Sequence, residues 1–152
     1  MKQEKSKISE GGLGQRIRIE TLTPLNWEDD LSEIRTGLMK TPREISSKFF
    51  YDSRGSALFE RICELPEYYP TRTELALLER YAVQLTDITS PDVLVELGSG
   101  SSVKTRVLLD ALERKGCLAC YAPIELSESL LQGVVSDLAL DYPGFRFHGV
   151  AG

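Results

Sequence analysis

Val93-Leu94-Val95-Glu96-Leu97-Gly98-Ser99-Gly100 is the stretch on which the fold turns. A short apolar run ended by glycine reads as a buried strand, since its length and its bounding turn residues separate it from a helix of similar hydrophobicity. Ser102 stands where a helix N-cap belongs, Val103, Val107, Ala111 and Leu112 recur at helical spacing, and Gly116 offers a C-terminal stop. A strand passing through glycines into a helix opens a parallel crossover unit.

Downstream the alternation continues. Leu118 to Ile124 is a second apolar strand, and Ser127 opens a helix with Leu130, Leu131, Val134, Val135 and Leu138 inward. Tyr142-Pro143-Gly144 then turns the chain into a third strand, Phe145 to Val150. The order β-α-β-α-β is one half of a doubly wound parallel sheet, and the fold class is α/β.

Upstream the signals are helical. Trp27, Leu31, Ile34 and Leu38 predict a helix capped by Asn26, with Asp29 as capping-box partner, that ends near Lys40. After the break at Thr41-Pro42, the pairs Leu58/Ile62 and Phe59/Cys63 predict a second helix, introduced by a turn at Ser53 to Ser56 and ended by Pro66. Leu65 to Pro70 is expected to be a stiff aromatic loop, because each proline holds its predecessor extended. Thr71 to Glu74 reads as a capping box for a third helix with Leu75, Leu78, Ala82 and Leu85 on one face. The expected division is a flexible tail at 1–16, a helical segment at 17–90 and the half-sheet at 91–152.

The glycine loop carries the chemistry. Small residues at Gly98, Ser99 and Gly100 let the backbone turn sharply and approach a ligand closely. A dinucleotide loop would place a third glycine where this chain has the branched Val103. Glu96, two residues before the first glycine, instead suits a cationic ligand such as S-adenosylmethionine. Glu125, ending the second strand, can accept hydrogen bonds from both ribose hydroxyls of an adenosyl group. Alternatively, Glu125 serves the dipole of the next helix and the glycines make only a turn. The two features together favour S-adenosylmethionine as cofactor and methyl transfer as the reaction. Lys104 and Thr105, in the first helical turn, are candidates for the ligand's carboxylate, with a solvated surface the alternative for Lys104.

Composition excludes other classes. At 152 residues the chain makes one domain or part of one, and 41% hydrophobic with 27% charged residues is ordinary for a globular protein. A net charge of -5 with scattered Lys and Arg offers no basic face for nucleic acid. Met1 to Gln15 holds no apolar run, so no membrane association and a cytoplasmic location are expected. Three cysteines suggest reduced thiols, and Cys117 with Cys120 lacks a second ligand pair for a metal, so structural burial is expected. His148 lies inside a predicted strand without a visible catalytic partner, and Arg16, Arg18, Arg43 and Arg54 are expected to be solvated.

Beyond the loop, four stretches resemble the histidine Nα-methyltransferases of ergothioneine biosynthesis, which make hercynine. They are Lys48-Phe49-Phe50-Tyr51-Asp52, Gly55-Ser56-Ala57-Leu58-Phe59, Leu65 to Glu74 (LPEYYPTRTE) and Glu96 to Thr105 (ELGSGSSVKT), in family order between Thr41 and Gly152. The resemblance implies the first half of a Rossmann-like class I methyltransferase sheet after N-terminal helices that contribute to the substrate pocket. It implies cofactor contacts at Gly98, Ser99, Gly100, Lys104 and Glu125, and a substrate amino acid, L-histidine, against Tyr68 and Tyr51. An aromatic ring with a polar tip suits an imidazole.

This sequence departs from the family pattern at Glu125, where Asp is usual, at Phe49, where Trp is usual, and at Ser46-Ser47, where a Pro-Pro pair is usual. Family members are roughly twice as long, so a fragment is expected, with most substrate contacts past Gly152. The expected chemistry is in-line displacement by a neutral amine on the sulfonium methyl, without a metal and without a catalytic base in this segment. The alternatives are a sibling acting on another amino acid or an indole amine, and a non-catalytic remnant.

Overall fold

The computed structural model describes residues 13–22 and 27–152. In chain order the elements are α1 (Leu13–Arg16), β1 (Ile17–Thr21), α2 (Trp27–Leu38), a 3-10 turn (Ser47–Phe50), α3 (Ser53–Cys63), α4 (Tyr69–Thr89), β2 (Val93–Leu97), α5 (Val103–Lys115), β3 (Cys120–Glu125), α6 (Glu128–Asp141) and β4 (Arg146–Ala151). The four strands form one parallel sheet in the order β1-β4-β3-β2. The expected β-α-β-α-β unit is therefore present, and the chain has the partial Rossmann-like α/β fold.

One strand is additional. Ile17–Thr21, expected to open a helical segment, pairs with β4 in the register Ile17 to Phe147 and Thr21 to Ala151. Its alternation of Ile17 and Ile19 with Arg18 and Glu20 is a strand period over five residues, and both isoleucines pack on the core. Leu13–Arg16, assigned to a flexible tail, form a helical turn before it. Residues 1–12 of that tail and the Asn26 cap lie outside the described residues.

Arg16 explains why this strand stays. Its guanidinium, expected in solvent, donates to the Ala139 carbonyl at 2.9 Å and to those of Tyr142 and Phe145 at 3.3 and 3.4 Å, capping the end of α6. Charged hydrogen bonds are each worth about 1.5–3 kcal/mol, so Arg16→Ala is expected to loosen β1 first. Amide exchange read by mass spectrometry should then quicken at 17–21 while β3 keeps its protection.

The core lies on one face of the sheet. Leu109 and Leu112 of α5 and Leu131, Val135 and Leu138 of α6 bury against Tyr121 and Phe147, all 0–1% exposed. Their removal from water is the main stabilising term, at about 1.5–3 kcal/mol per side chain. α4 packs on α5 through Ala82 and Thr86, whereas Leu85, expected inward, faces out. The opposite face of the sheet is open among the described residues, with Val93, Val95 and Leu97 exposed at 50%, 58% and 78%. No helix among the described residues is long and apolar enough to cross a membrane.

Several caps differ from expectation. Ser127 does cap α6, accepting from the Leu130 amide, and Gly116 closes α5 in the left-handed conformation. Ser102 takes the N-cap position of α5, as expected, but its side chain makes no capping hydrogen bond and points inward to Tyr121. Ser53 to Ser56 is not a turn but the start of α3, whose cap is Asp52, accepting from the Gly55 amide at 2.7 Å. α3 ends at Cys63, before Pro66. α4 begins at Tyr69 with Pro70 in its first turn, where a missing N–H costs nothing. The capping box at Thr71 and Glu74 is thus displaced: Thr71 bonds Cys63 Sγ and Glu74 pairs with Lys104.

Candidate functional site

Strand β2 ends in a loop that has no choice but to turn. Gly98 and Gly100 have φ of +67° and +51°, a region that suits glycine, and a Cβ added at either would meet no atom within 4 Å. The turn is stitched to the end of β3, with the Gly98 amide donating to the Ile124 carbonyl at 2.8 Å. Between the glycines, Ser99 is 7% exposed and its Oγ has no hydrogen-bond partner among the described residues. That hydroxyl is enclosed, and Ser99, unlike Gly98 and Gly100, does not line the cleft in front of the turn.

Glu125 ends β3 beside this turn. Its carboxylate, 8% exposed, accepts from the Gly100 amide at 3.0 Å and from the Ser127 amide at 3.2 Å. It therefore faces the loop, as the sequence suggested, and also serves the start of α6, which was the alternative reading. A carboxylate has about four acceptor positions, so two remain. Glu96 behaves differently from expectation. Rather than facing outward to a cation, it accepts from Tyr121 Oη at 2.5 Å and from Thr105 Oγ1, which lies 2.8 and 2.6 Å from its two oxygens. The even positions of β2 point under α5, so a carboxylate two residues before Gly98 lies on the covered face.

A cleft of about 960 Å³ opens in front of the loop. Gly98, Gly100, Lys104, Glu125 and Leu126 line one side, and Phe49, Phe50, Tyr51, Arg54, Leu58 and Phe59 the other. Tyr51 thus reaches the cleft. Tyr68 does not line it directly but packs edge-to-face on Phe59, with ring centroids 5.9 Å apart and planes at 80°. Lys104 lines the cleft while its ammonium pairs with Glu74 at 2.5 Å, tying α5 to α4.

Sequence reasoning missed one contributor. Phe59 was assigned to a helix-stabilising pair yet stands in the cleft wall, where Arg54, exposed as expected, joins it. The signal was present in Phe49, Phe50, Tyr51 and Phe59, four aromatics within eleven residues whose rings have no core of their own to fill. Cys117 and Cys120 are both half-buried free thiols, less enclosed than expected. His148 lies on β4, its Nε2 3.4 Å from a Glu20 carboxylate oxygen across β1 and β4 but without a hydrogen-bond partner among the described residues, and it does not line the cleft.

A glycine turn at the carboxyl end of one strand, with an acidic residue ending the next, defines a Rossmann-like cofactor-binding domain. Comparison with known proteins narrows this. The family described as histidine-specific methyltransferase, SAM-dependent, matches residues 30–152. Similar proteins include the histidine N-alpha-methyltransferases of Mycobacterium tuberculosis and Mycolicibacterium smegmatis, 42% and 40% identical over 120 residues. Each alignment covers 79% of this chain and 37% of the relative. Ergothioneine biosynthesis protein 1 of Schizosaccharomyces pombe is 35% identical over 115 residues, covering 72% of this chain and 15% of that protein. The chain belongs to the family of histidine-specific, S-adenosylmethionine-dependent methyltransferases. The matched part spans little more than a third of the length of the mycobacterial relatives.

Proposed function

We propose that the whole protein transfers three methyl groups in succession, one from each of three S-adenosylmethionine molecules, to the α-amino group of L-histidine, releasing S-adenosylhomocysteine and a proton each time and giving hercynine for ergothioneine synthesis in the cytoplasm. The observation that carries this reading is Glu125 held against the Gly100 amide at the mouth of the cleft, with an aromatic wall opposite. The residues present fit the cofactor. Gly98 and Gly100 leave room beside the backbone, Ser99 would act through the backbone of the turn, and Glu125 keeps two acceptor positions for a pair of ribose hydroxyls.

When bound, S-adenosylmethionine supplies an electrophilic methyl on a positively charged sulfur. Lys104, released from or shared with Glu74, would meet the amino-acid carboxylate of that ligand. Tyr51 offers its ring and hydroxyl to the substrate in the cleft, and Tyr68 acts through Phe59, setting the wall the substrate leans on. Holding amine and methyl in line is worth an effective molarity of roughly 10⁵ M or more, which makes positioning the principal contribution of these residues. We assign none of them a proton-transfer role.

Incubating the whole protein with L-histidine and S-adenosylmethionine should add methyl groups to the α-nitrogen, seen as mass increments with loss of amine reactivity. Unmodified histidine alongside methylation of another amino acid or an indole amine would move the assignment to a sibling activity. No methylation of any of these would sink it.

A further inference from the structure

We propose that Tyr121 is a positioning residue for the cofactor loop, holding Glu96 and Ser102 so that the turn at 98–102 keeps the shape that admits the adenosyl ligand. The inference rests on the cofactor reading of that loop. Tyr121 lies on β3, 0% exposed, beneath the turn, and its ring is set edge-to-face on Phe147 at 6.3 Å and 89°. The phenol donates to Glu96 Oε2 at 2.5 Å, and its oxygen lies 3.4 Å from Ser102 Oγ. Burial and the Glu96 carboxylate both push its ionisation well above the ordinary phenol range, so it stays a donor.

The link to the loop is direct. Glu96 stands two residues before Gly98 and also accepts from Thr105, in the first turn of α5. Ser102 carries a φ of +55°, a conformation that disfavours a residue with a Cβ, and Ser102 and Thr105 are each 3% exposed. One phenol thereby joins the strand entering the turn to the strained residue leaving it. A phenylalanine would fill the same volume and leave one Glu96 oxygen without its phenol donor. In a buried network such a loss is felt by every member.

The test is Tyr121→Phe in the whole protein, with S-adenosylhomocysteine affinity by calorimetry and methylation kinetics. The dissociation constant, and with it the KM for S-adenosylmethionine, is expected to rise about tenfold while kcat at saturation changes less than about twofold. Ser102→Ala, which cuts only the phenol-to-loop contact, should weaken binding about threefold, and less than that on top of Tyr121→Phe because the two share one network. Unchanged binding in a folded Tyr121→Phe, or a fall in kcat at constant KM, overturns the assignment. If that variant does not fold, unchanged binding by Ser102→Ala overturns it instead. A wild-type protein that fails to bind S-adenosylhomocysteine overturns the cofactor reading, and this assignment with it. Should L-histidine not be the acceptor, the dissociation constants decide alone.

Discussion

Glu125→Ala in the whole protein is expected to lower the affinity for S-adenosylhomocysteine about 100-fold, the equivalent of one strong charged hydrogen bond. Two effects add. The ribose loses its acceptor, and the Gly100 and Ser127 amides lose theirs, so the turn and the start of α6 relax together. Glu125→Gln keeps the shape and one carbonyl acceptor but not the charge, and should cost about tenfold, because bonds to an ionised acceptor are roughly twice as strong as neutral ones. Calorimetric titration of the three proteins separates these contributions. Equal affinities would mean that the adenosyl group is held elsewhere and that Glu125 serves only the helix.

The second large effect concerns Gly55. Replacing a glycine within a helix by alanine ordinarily stabilises it by about 0.5–1 kcal/mol. At Gly55 the sign is expected to reverse. An added Cβ would overlap the Phe50 carbonyl oxygen and carbon and stand 3.2 Å from Asp52 Oδ1. α3 would have to back away from the 3-10 turn, which strains the packing by about 1–3 kcal/mol and endangers a cap worth about 1 kcal/mol. Because Phe50 and Phe59 flank this junction in the cleft wall, the KM for the amino-acid substrate should rise as well. Urea unfolding and kinetics on Gly55→Ala test both parts, with Asp52→Ala isolating the cap alone. A Gly55→Ala protein at least as stable as wild type would refute the junction.

The fold from Val93 onward was readable because each element there declares itself locally. Apolar runs are short, turns carry glycine, and the order alternates, so the parallel unit follows from pattern. β1 was not readable in the same way. Five residues with two isoleucines make a weak period, and its partner β4 lies at the other end of the chain. Propensity was also a poor guide where a side chain had a better offer. Ser102 stands where a cap belongs yet turns to Tyr121, and Thr71 turns to Cys63. Of the candidate site, Gly98, Gly100, Lys104, Glu125 and Tyr51 line one cleft and Ser99 does not; the parallel pairing of β2 with β3 brings the glycine turn beside Glu125. Tyr68 stands one ring behind, because its neighbour Phe59 is brought there by helix α3 rather than by sequence proximity. The role of Glu96 required the sheet, whose alternation of faces decides that it points under α5.

The clasp of Arg16 on the end of α6 has a bearing on how the protein is born. Arg16 and its Ala139 partner are 123 residues apart. At synthesis rates of about 5–20 residues per second, Arg16 emerges roughly 6–25 seconds ahead of the carbonyl it will hold. Closing so long a loop is slow compared with forming the crossover units, whose strands are near neighbours in the chain. Of the described strands, the first to be made is thus the last to be seated. Ile17 and Ile19 wait in water until β4 arrives, and the nascent chain assembles from its middle toward its beginning.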